Sequence, residues 1–363
     1  MKKKLLFAIT TFILLNFNAQ AQNKDVQNIV LRFLDSVQTN SYMSLNVKWD
    51  SVRPDFIEQT KNINDINDLK PHLTSFIKTL KDGHSSVIFL NKEEDNTEES
   101  KFAFYKLIGT TTDAEAGLPP KNFQHRILQD KYAYINIPSV ALENRKFVDT
   151  IGIQLKELDA KNPKAWIIDL TENNGGNIMS MIWHFPTLID VNHCYSYFSL
   201  TKDEKVSTRF IETSPDDIKV AQLINLEYEK VLPISIKNNN VPIVILTSQI
   251  TASSGELFAA YFKGQKNVKL VGQKTTGLTS NNSPIDIGGG ITINLTTSVL
   301  KDRNGKIYKI GEGIDPDIQL NIDYAKQEGK TDLTYQELSQ AIKKNKQKYL
   351  DEAIKILGND SFN

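Results

Sequence analysis

The sequence has a single cysteine, Cys194, so no internal disulfide can form and no thiolate cluster can hold a metal. A hydrophobic core must therefore hold the fold, and 363 residues are enough to bury a large one. An excess of charge of either sign is also lacking. Lys plus Arg equal Asp plus Glu at 43 each, which removes the electrostatic case for nucleic acid or an anionic membrane surface as partner. The opening apolar run, Leu5 to Phe17, is well short of the ~20 residues that span a bilayer. No His-Glu-x-x-His, no Gly-Lys-Ser/Thr phosphate loop and no dinucleotide fingerprint occurs, so no metal or organic cofactor is implied. No internal repeat is visible.

That opening run has its own meaning. Lys2, Lys3 and Lys4 precede it, and Ala19-Gln20-Ala21 follows as the small-x-small pattern of a cleavage site. The expectation is a signal peptide over 1–21, export to the periplasm or beyond the cell, and no stable membrane insertion after cleavage. Cys194, with no glycine-rich turn or helix start beside it, is expected to be buried filler.

Val26, Ile29, Val30, Phe33, Leu34 and Val37 recur at helical spacing, and Leu69, Leu73, Phe76, Ile77 and Leu80 mark a second helix. The second is expected to stop at Asp82-Gly83, where glycine can turn left-handed. Residues 92–100 are charged and aperiodic, which predicts a surface linker. From about residue 127 short apolar strands alternate with helices. The strands are Tyr132 to Ile137, Trp166 to Leu170, Val241 to Leu246 and Val268 to Val271; the helices are Val148 to Leu158 and Ser254 to Lys263. This pattern predicts an α/β fold, a mixed sheet with crossover helices, preceded by a small N-terminal helical domain. Ile291 to Leu300 and Lys306 to Lys309 flank Asn304-Gly305, a hairpin signal. Thr334 and Glu337 form a capping box, and Leu338, Ala341, Ile342, Tyr349, Ala353 and Ile354 share one face of a closing helix. The expected divisions are 1–21, 22–90, a linker with short strands over 91–126, the main domain over 127–325, and a C-terminal helix over 326–363.

The strand from Val241 runs through Thr247-Ser248 into a turn of small residues and then into Gly255-Glu256-Leu257-Phe258. A serine there has its hydroxyl outside the strand's carboxyl end, and the N–H groups of the helix start point at developing negative charge. Helix capping is the plain alternative, because Ser253 to Glu256 also fits a capping box.

Leu246-Thr-Ser-Gln-Ile-Thr-Ala-Ser-Ser-Gly-Glu256, followed by Val271-Gly-Gln-Lys-Thr-Thr-Gly277, resembles the C-terminal-processing (tail-specific) serine peptidases. That family includes the tricorn core protease and the interphotoreceptor retinoid-binding proteins. Three further segments match in order over about 127–320. They are Tyr132-Ala-Tyr-Ile-Asn-Ile-Pro-Ser139; Ile168-Asp-Leu-Thr-Glu-Asn-Asn-Gly-Gly176, with Thr171 where arginine is usual; and Gly313-Ile-Asp-Pro-Asp317. The resemblance implies a crotonase-like ββα core and makes 127–325 the expected peptidase domain.

It also implies roles. Ser253 matches the nucleophile, and the N–H groups of Gly176 and Ser254 match the oxyanion hole. Glycine suits the first, because its backbone can approach a carbonyl without a clashing side chain; a tight turn alone also explains Gly175-Gly176. The lysine base of the bacterial and plastid branch is missing, because Leu278 stands at its position, and Lys274 matches a variable one. The tricorn-like branch uses a histidine before the catalytic domain, and Leu80-Lys-Asp-Gly-His-Ser85 resembles that segment, which makes His84 the expected base. Gly83 stands where that branch has a serine. Glu312 matches an acidic residue that completes the relay, and Glu256 is a supporting group or a helix cap. His72, His125, His184 and His193 are expected to be structural. Fewer than fifty residues separate His84 from Tyr132, too few for the PDZ domain that many relatives carry.

The expected activity is hydrolysis of peptide or protein substrates through an acyl-enzyme by an exported serine peptidase. The alternative is a catalytically impaired binding protein of the same fold, for a peptide or an apolar ligand. A third reading is a non-peptidase hydrolase.

Overall fold

A computed structural model describes residues 25–90, 102–190, 194–199, 203–205, 215–227 and 230–359. The expected signal peptide, the 92–100 linker and His193 lie outside these. By internal contacts the chain divides into two compact units. One takes the described residues up to Phe104 with Asn282–Ser298, and the other takes Tyr105–Asn281 and Val299–Asn363. Asn282–Ser298, inside the expected 127–325 span, thus groups with the N-terminal elements.

In chain order the elements begin with α1 (25–40), α2 (Trp49–Thr60), α3 (Ile66–Thr79), β1 (Ser86–Phe89) and α4 (Ala103–Thr110). Next come β2 (His125–Leu128), β3 (Tyr132–Asn136), α5 (Asn144–Asp159), β4 (Ala165–Asp169), α6 (Ile178–Ile182), β5 (Tyr195–Phe198), β6 (Asp203–Lys205) and α7 (Pro215–Leu223). Then follow β7 (Ile243–Thr247), α8 (Ser254–Phe262), β8 (Val268–Gly272), β9 (Ser280–Gly288), β10 (Ile291–Asp302) and β11 (Ile318–Gln319). Helices α9 (Tyr324–Gln327), α10 (Tyr335–Lys344) and α11 (Lys346–Gly358) close the chain.

In the smaller unit, the apolar stripe of α1 packs with Phe56, Leu69, Leu73, Phe76 and Ile77 against Ile287, Ile291, Ile293 and Leu295. Phe76 meets Phe33 and Phe56 edge-on, with centroids 5.2 and 5.0 Å away. β1 pairs antiparallel with β10, Ser86 opposite Asn294. Asp65 caps α3 by accepting the Asn67 N–H at 2.7 Å. The helix ends at Thr79, short of the expected Asp82-Gly83, because Lys81 already turns left-handed at φ 56°; Gly83 does so too, at φ 68°.

The larger unit is built on a six-stranded sheet in the order β11-β8-β7-β4-β3-β2, parallel except for β2. Every residue of β3, β4 and β7 is buried, because helices cover both faces. On one face Ile135, Trp166, Ile168, Ile243 and Ile245 meet Phe147, Ile151 and Leu155 of α5 and Phe258 and Phe262 of α8. On the other, Tyr134, Ile167, Val244 and Leu246 meet Ala341, Ile342, Tyr349, Leu350 and Ala353 of α10 and α11. Side chains alternate between the two cores at the strand period of two.

Two details differ from expectation. The single closing helix is two, broken at Asn345, whose Nδ2 bonds back to Ala341 O at 2.9 Å and to Gln327 Oε1 at 2.9 Å. The Asn304-Gly305 turn is present, but the returning segment Lys306 to Lys309 makes one bridge, Lys301 to Ile307, and no extended strand; β10 also pairs with β1, β5 and β9. The β9–β10 hairpin turns through Gly288, Gly289 and Gly290, all with positive φ.

Candidate active site

Loops leave the carboxyl ends of the neighbouring parallel strands β4 and β7, where Asp169 lies opposite Leu246. The loop after β7 runs from Ser248 to Ser253 and is laced to the loop after β4. Ser248 Oγ donates to Thr171 O at 2.6 Å, Thr251 Oγ1 to Leu170 O at 2.8 Å, and the Ala252 N–H to Asn173 O at 3.0 Å. Ser253 caps α8 with φ 51° and ψ −122°, a backbone state that costs an L residue about 1–3 kcal/mol and persists only where surroundings enforce it. A sharp strand-to-helix turn of this kind holds a side-chain oxygen out of the turn.

Gly175 and Gly176 fit against this turn. Gly175 has φ 114°, and a Cβ on it would lie 2.8 Å from Ser253 Cβ and 3.3 Å from Ser253 Oγ. Gly176 has φ 125°, and a Cβ there would lie 2.0 Å from Val140 O. The approach is fixed by Val140 N–H to Gly175 O at 3.2 Å and Asn177 N–H to Val140 O at 2.6 Å. Ser254 Oγ donates to Gly176 O at 2.6 Å and joins the two loops. Gly176 is exposed, and neither its N–H nor that of Ser254 has a hydrogen-bond partner among the described residues. Two open donors thus flank the Ser253 turn, an arrangement able to bind an oxyanion.

Glu256 does more than cap α8. A capping box joins it to Ser253, whose N–H reaches Glu256 Oε2 at 3.0 Å. The same carboxyl group also takes the N–H groups of Gly277 at 2.9 Å and Leu278 at 2.7 Å, and the hydroxyl of Thr275. Complete burial pushes its pKa up to about 7 against these four donors, which favour the ionised form. Thr275 Oγ1 in turn accepts from Ile314 N–H at 2.7 Å, so the Ser253 turn, the 275–278 segment and the 313–317 motif form one hydrogen-bonded block.

His84 belongs to the smaller unit. Buried Asp82 accepts the N–H of His84 at 3.0 Å and of Ser85 at 2.8 Å through Oδ1, and the Ser85 hydroxyl at 2.6 Å through Oδ2. Asn282 Nδ2 donates to His84 O at 2.8 Å. The histidine backbone is therefore pinned from both sides. Burial lowers the imidazole pKa from its usual value, with the Asp82 charge opposing. Glu312 lies in the larger unit with its carboxylate engaged: Oε1 with Lys306 Nζ at 2.8 Å and Oε2 with the Lys309 N–H at 3.0 Å. The Lys306 hydrogen bond chiefly holds its pKa below the usual carboxylate range.

His184 is buried, with Nε2 3.1 Å from Val148 O and Nδ1 accepting the Ile234 N–H at 3.2 Å. His125 meets Glu157 at 2.7 Å, Lys274 meets Asp315 at 3.1 Å, and Cys194 is buried.

Sequence reasoning missed Lys346. Its Nζ lies 2.6 Å from Asp169 Oδ2, 2.8 Å from Thr171 Oγ1 and 3.1 Å from Glu172 Oε1. Burial alone would raise the pKa of the completely buried Asp169, and this cation keeps it low. The available signal was an aspartate ending an apolar strand with Thr171 where arginine is usual. Among the described residues no group of three or more His, Cys, Asp or Glu could hold a metal ion, and no helix is long and apolar enough to cross a membrane.

A nisin-resistance protein from Lactococcus lactis subsp. lactis is 26% identical over 274 residues, covering 76% of this chain and 77% of its own. The solved structure of a lipoprotein from Streptococcus agalactiae superposes with a TM-score of 0.62 at 23% identity, covering 84% of this chain and 94% of that one. A photosystem II D1 C-terminal processing protease shares the fold at TM-score 0.53 and 12% identity, covering 82% and 94%. Residues 131–320, just over half of the chain, match the family described as Peptidase family S41. This chain belongs to that peptidase family.

Proposed function

We propose that the chain is an exported serine peptidase in which Ser253 attacks the scissile carbonyl and His84 serves as general base. A bond forms between Ser253 Oγ and the carbonyl carbon as the hydroxyl proton passes to the imidazole. The tetrahedral oxyanion is held by the N–H groups of Gly176 and Ser254. His84 then gives the proton to the leaving amine as the C–N bond breaks, and water attacks the acyl-enzyme by the reverse relay.

The observation that carries this reading is the left-handed backbone of Ser253 at a strand-to-helix turn between two open N–H donors. The neutral imidazole favoured at His84 supports its role as a base. Glu312, whose carboxylate is held by Lys306 and the Lys309 N–H, is the acidic residue that completes the relay with His84 in this scheme. Export rests on the N-terminal pattern of Lys2 to Lys4, an apolar run and Ala19-Gln20-Ala21.

Leu278 at the family's lysine position favours a second reading, a binding protein that has lost turnover. Peptide hydrolysis by the purified chain, by Ser253→Ala and by His84→Ala separates the two. The proposal expects cleavage by the native chain and near-complete loss in both variants with the fold retained. Peptide binding without cleavage in the native chain favours the binding reading. Cleavage undiminished in Ser253→Ala would falsify the nucleophile.

A further inference from the structure

The loop from Asp169 to Gly176 carries one of the two proposed oxyanion donors, and the C-terminal helices grip it at both ends. At the strand end, Lys346 of α11 joins Asp169, Thr171 and Glu172, and Lys343 of α10 adds a contact to Glu172 Oε2 at 3.4 Å. Asp169 is wholly buried, and Tyr134 OH and the Thr171 N–H and hydroxyl fill the rest of its carboxylate at 2.7–2.8 Å. At the glycine end, Asn174 Nδ2 donates to Tyr335 OH at 2.8 Å. Asn174 is itself locked to Ser139, through its N–H at 2.9 Å and its Oδ1 at 2.6 Å.

These polar contacts are not what docks the helices. Ala341, Ile342, Tyr349, Leu350, Ala353 and Ile356 already bury an apolar face against the sheet. Tyr335 by contrast is 57% exposed, so its hydroxyl contributes little to burial while touching the residue next to Gly175. Both helices also lie beyond the 131–320 segment that matches the family.

We propose that α10 and α11 form a positioning clamp on the Asp169–Gly176 loop, with Lys346 fixing its strand end and Tyr335, through Asn174, its glycine end. The clamp keeps the Gly176 N–H aimed at the developing oxyanion, and this part rests on the reading of Gly176 as an oxyanion donor. Lys346 and Tyr335 are positioning residues; neither touches the reacting atoms in this scheme.

The test uses Tyr335→Phe, Lys346→Met and the charge-keeping Lys346→Arg in the full chain. Amide hydrogen exchange is followed at Asn173, Asn174, Gly175 and Asn177, whose N–H groups are all hydrogen-bonded in the clamped loop. Losing one hydroxyl contact in Tyr335→Phe should speed exchange there about three- to tenfold, and the global folding equilibrium should weaken by no more than the same factor. Peptide turnover should fall in kcat with KM unchanged, because the Gly176 N–H is less well aimed. Lys346→Met should loosen the loop more, and Lys346→Arg should restore most of the loss. Unchanged exchange at these amides in Tyr335→Phe overturns the clamp whatever the activity. Faster exchange with unchanged kcat overturns its link to the chemistry. A native chain without Ser253-dependent turnover would sink the nucleophile assignment instead, and the exchange result would still decide the clamp.

Discussion

Replacing Gly176 with alanine would put a Cβ 2.0 Å from Val140 O, 2.4 Å from Val140 C and 2.9 Å from Val140 N. All three are backbone atoms, so no side chain can swing aside. Real Cβ contacts essentially never fall under 3.0 Å, and the loop must therefore back away from Val140. The φ of 125° adds strain of about 1–3 kcal/mol for an L residue. A shift of about 1 Å is enough to misdirect the N–H, and a misplacement of that size costs about a hundredfold in rate. Loss of one oxyanion donor costs about a hundred- to a thousandfold, so two independent routes give the same scale. The expected result is a folded variant with kcat at least about a hundredfold lower and KM little changed. The assay is steady-state peptide hydrolysis beside a denaturant midpoint that verifies folding. A folded Gly176→Ala enzyme with kcat within about threefold of the native chain would refute the oxyanion role.

Other consequences concern titration and the block around Ser253. The pKa of His184 is lowered to about 4 by burial, below its unfolded 6.5, so folding favours the neutral ring. Its contribution is complete above pH 6.5 and is lost as pH falls toward 4, by about 3 kcal/mol at most. Stability of the native chain minus that of His184→Gln should drop across that window; a flat difference contradicts the buried neutral imidazole. Because burial lowers the His84 pKa, the acidic limb of kcat/KM should have its midpoint below 6.5 and vanish from any residual activity of His84→Ala. A limb that survives that substitution belongs to another group. Glu256→Ala leaves four donors without an acceptor and should cost at least about 3 kcal/mol by denaturant midpoint. Unchanged stability in that variant would show that the Ser253 turn does not depend on the carboxylate.

Strands β4 and β7 were legible because they are covered on both faces and so read as short apolar runs, Trp166 to Ile168 and Ile243 to Leu246. The Ser253 turn was legible as small residues between an apolar strand and helix, although its left-handed φ has no one-residue signature. The helix break at Asn345 was hidden because the apolar stripe continues across it from Ile342 to Tyr349. The Asp169–Lys346 pair was hidden for a different reason. A buried ion pair between distant residues leaves no periodic trace, and only the missing arginine at Thr171 hinted at it. Gly288-Gly289-Gly290 between two alternating stretches was a readable hairpin signal that the Asn304-Gly305 pair overshadowed.

Mapping a fluorophosphonate adduct on the full chain tests the central claim most directly. The account predicts a single phosphonylated site on the peptide containing Ser253, formed slowly or not at all in His84→Ala. An adduct on any other serine of the native chain, or none after prolonged exposure with the fold intact, contradicts it.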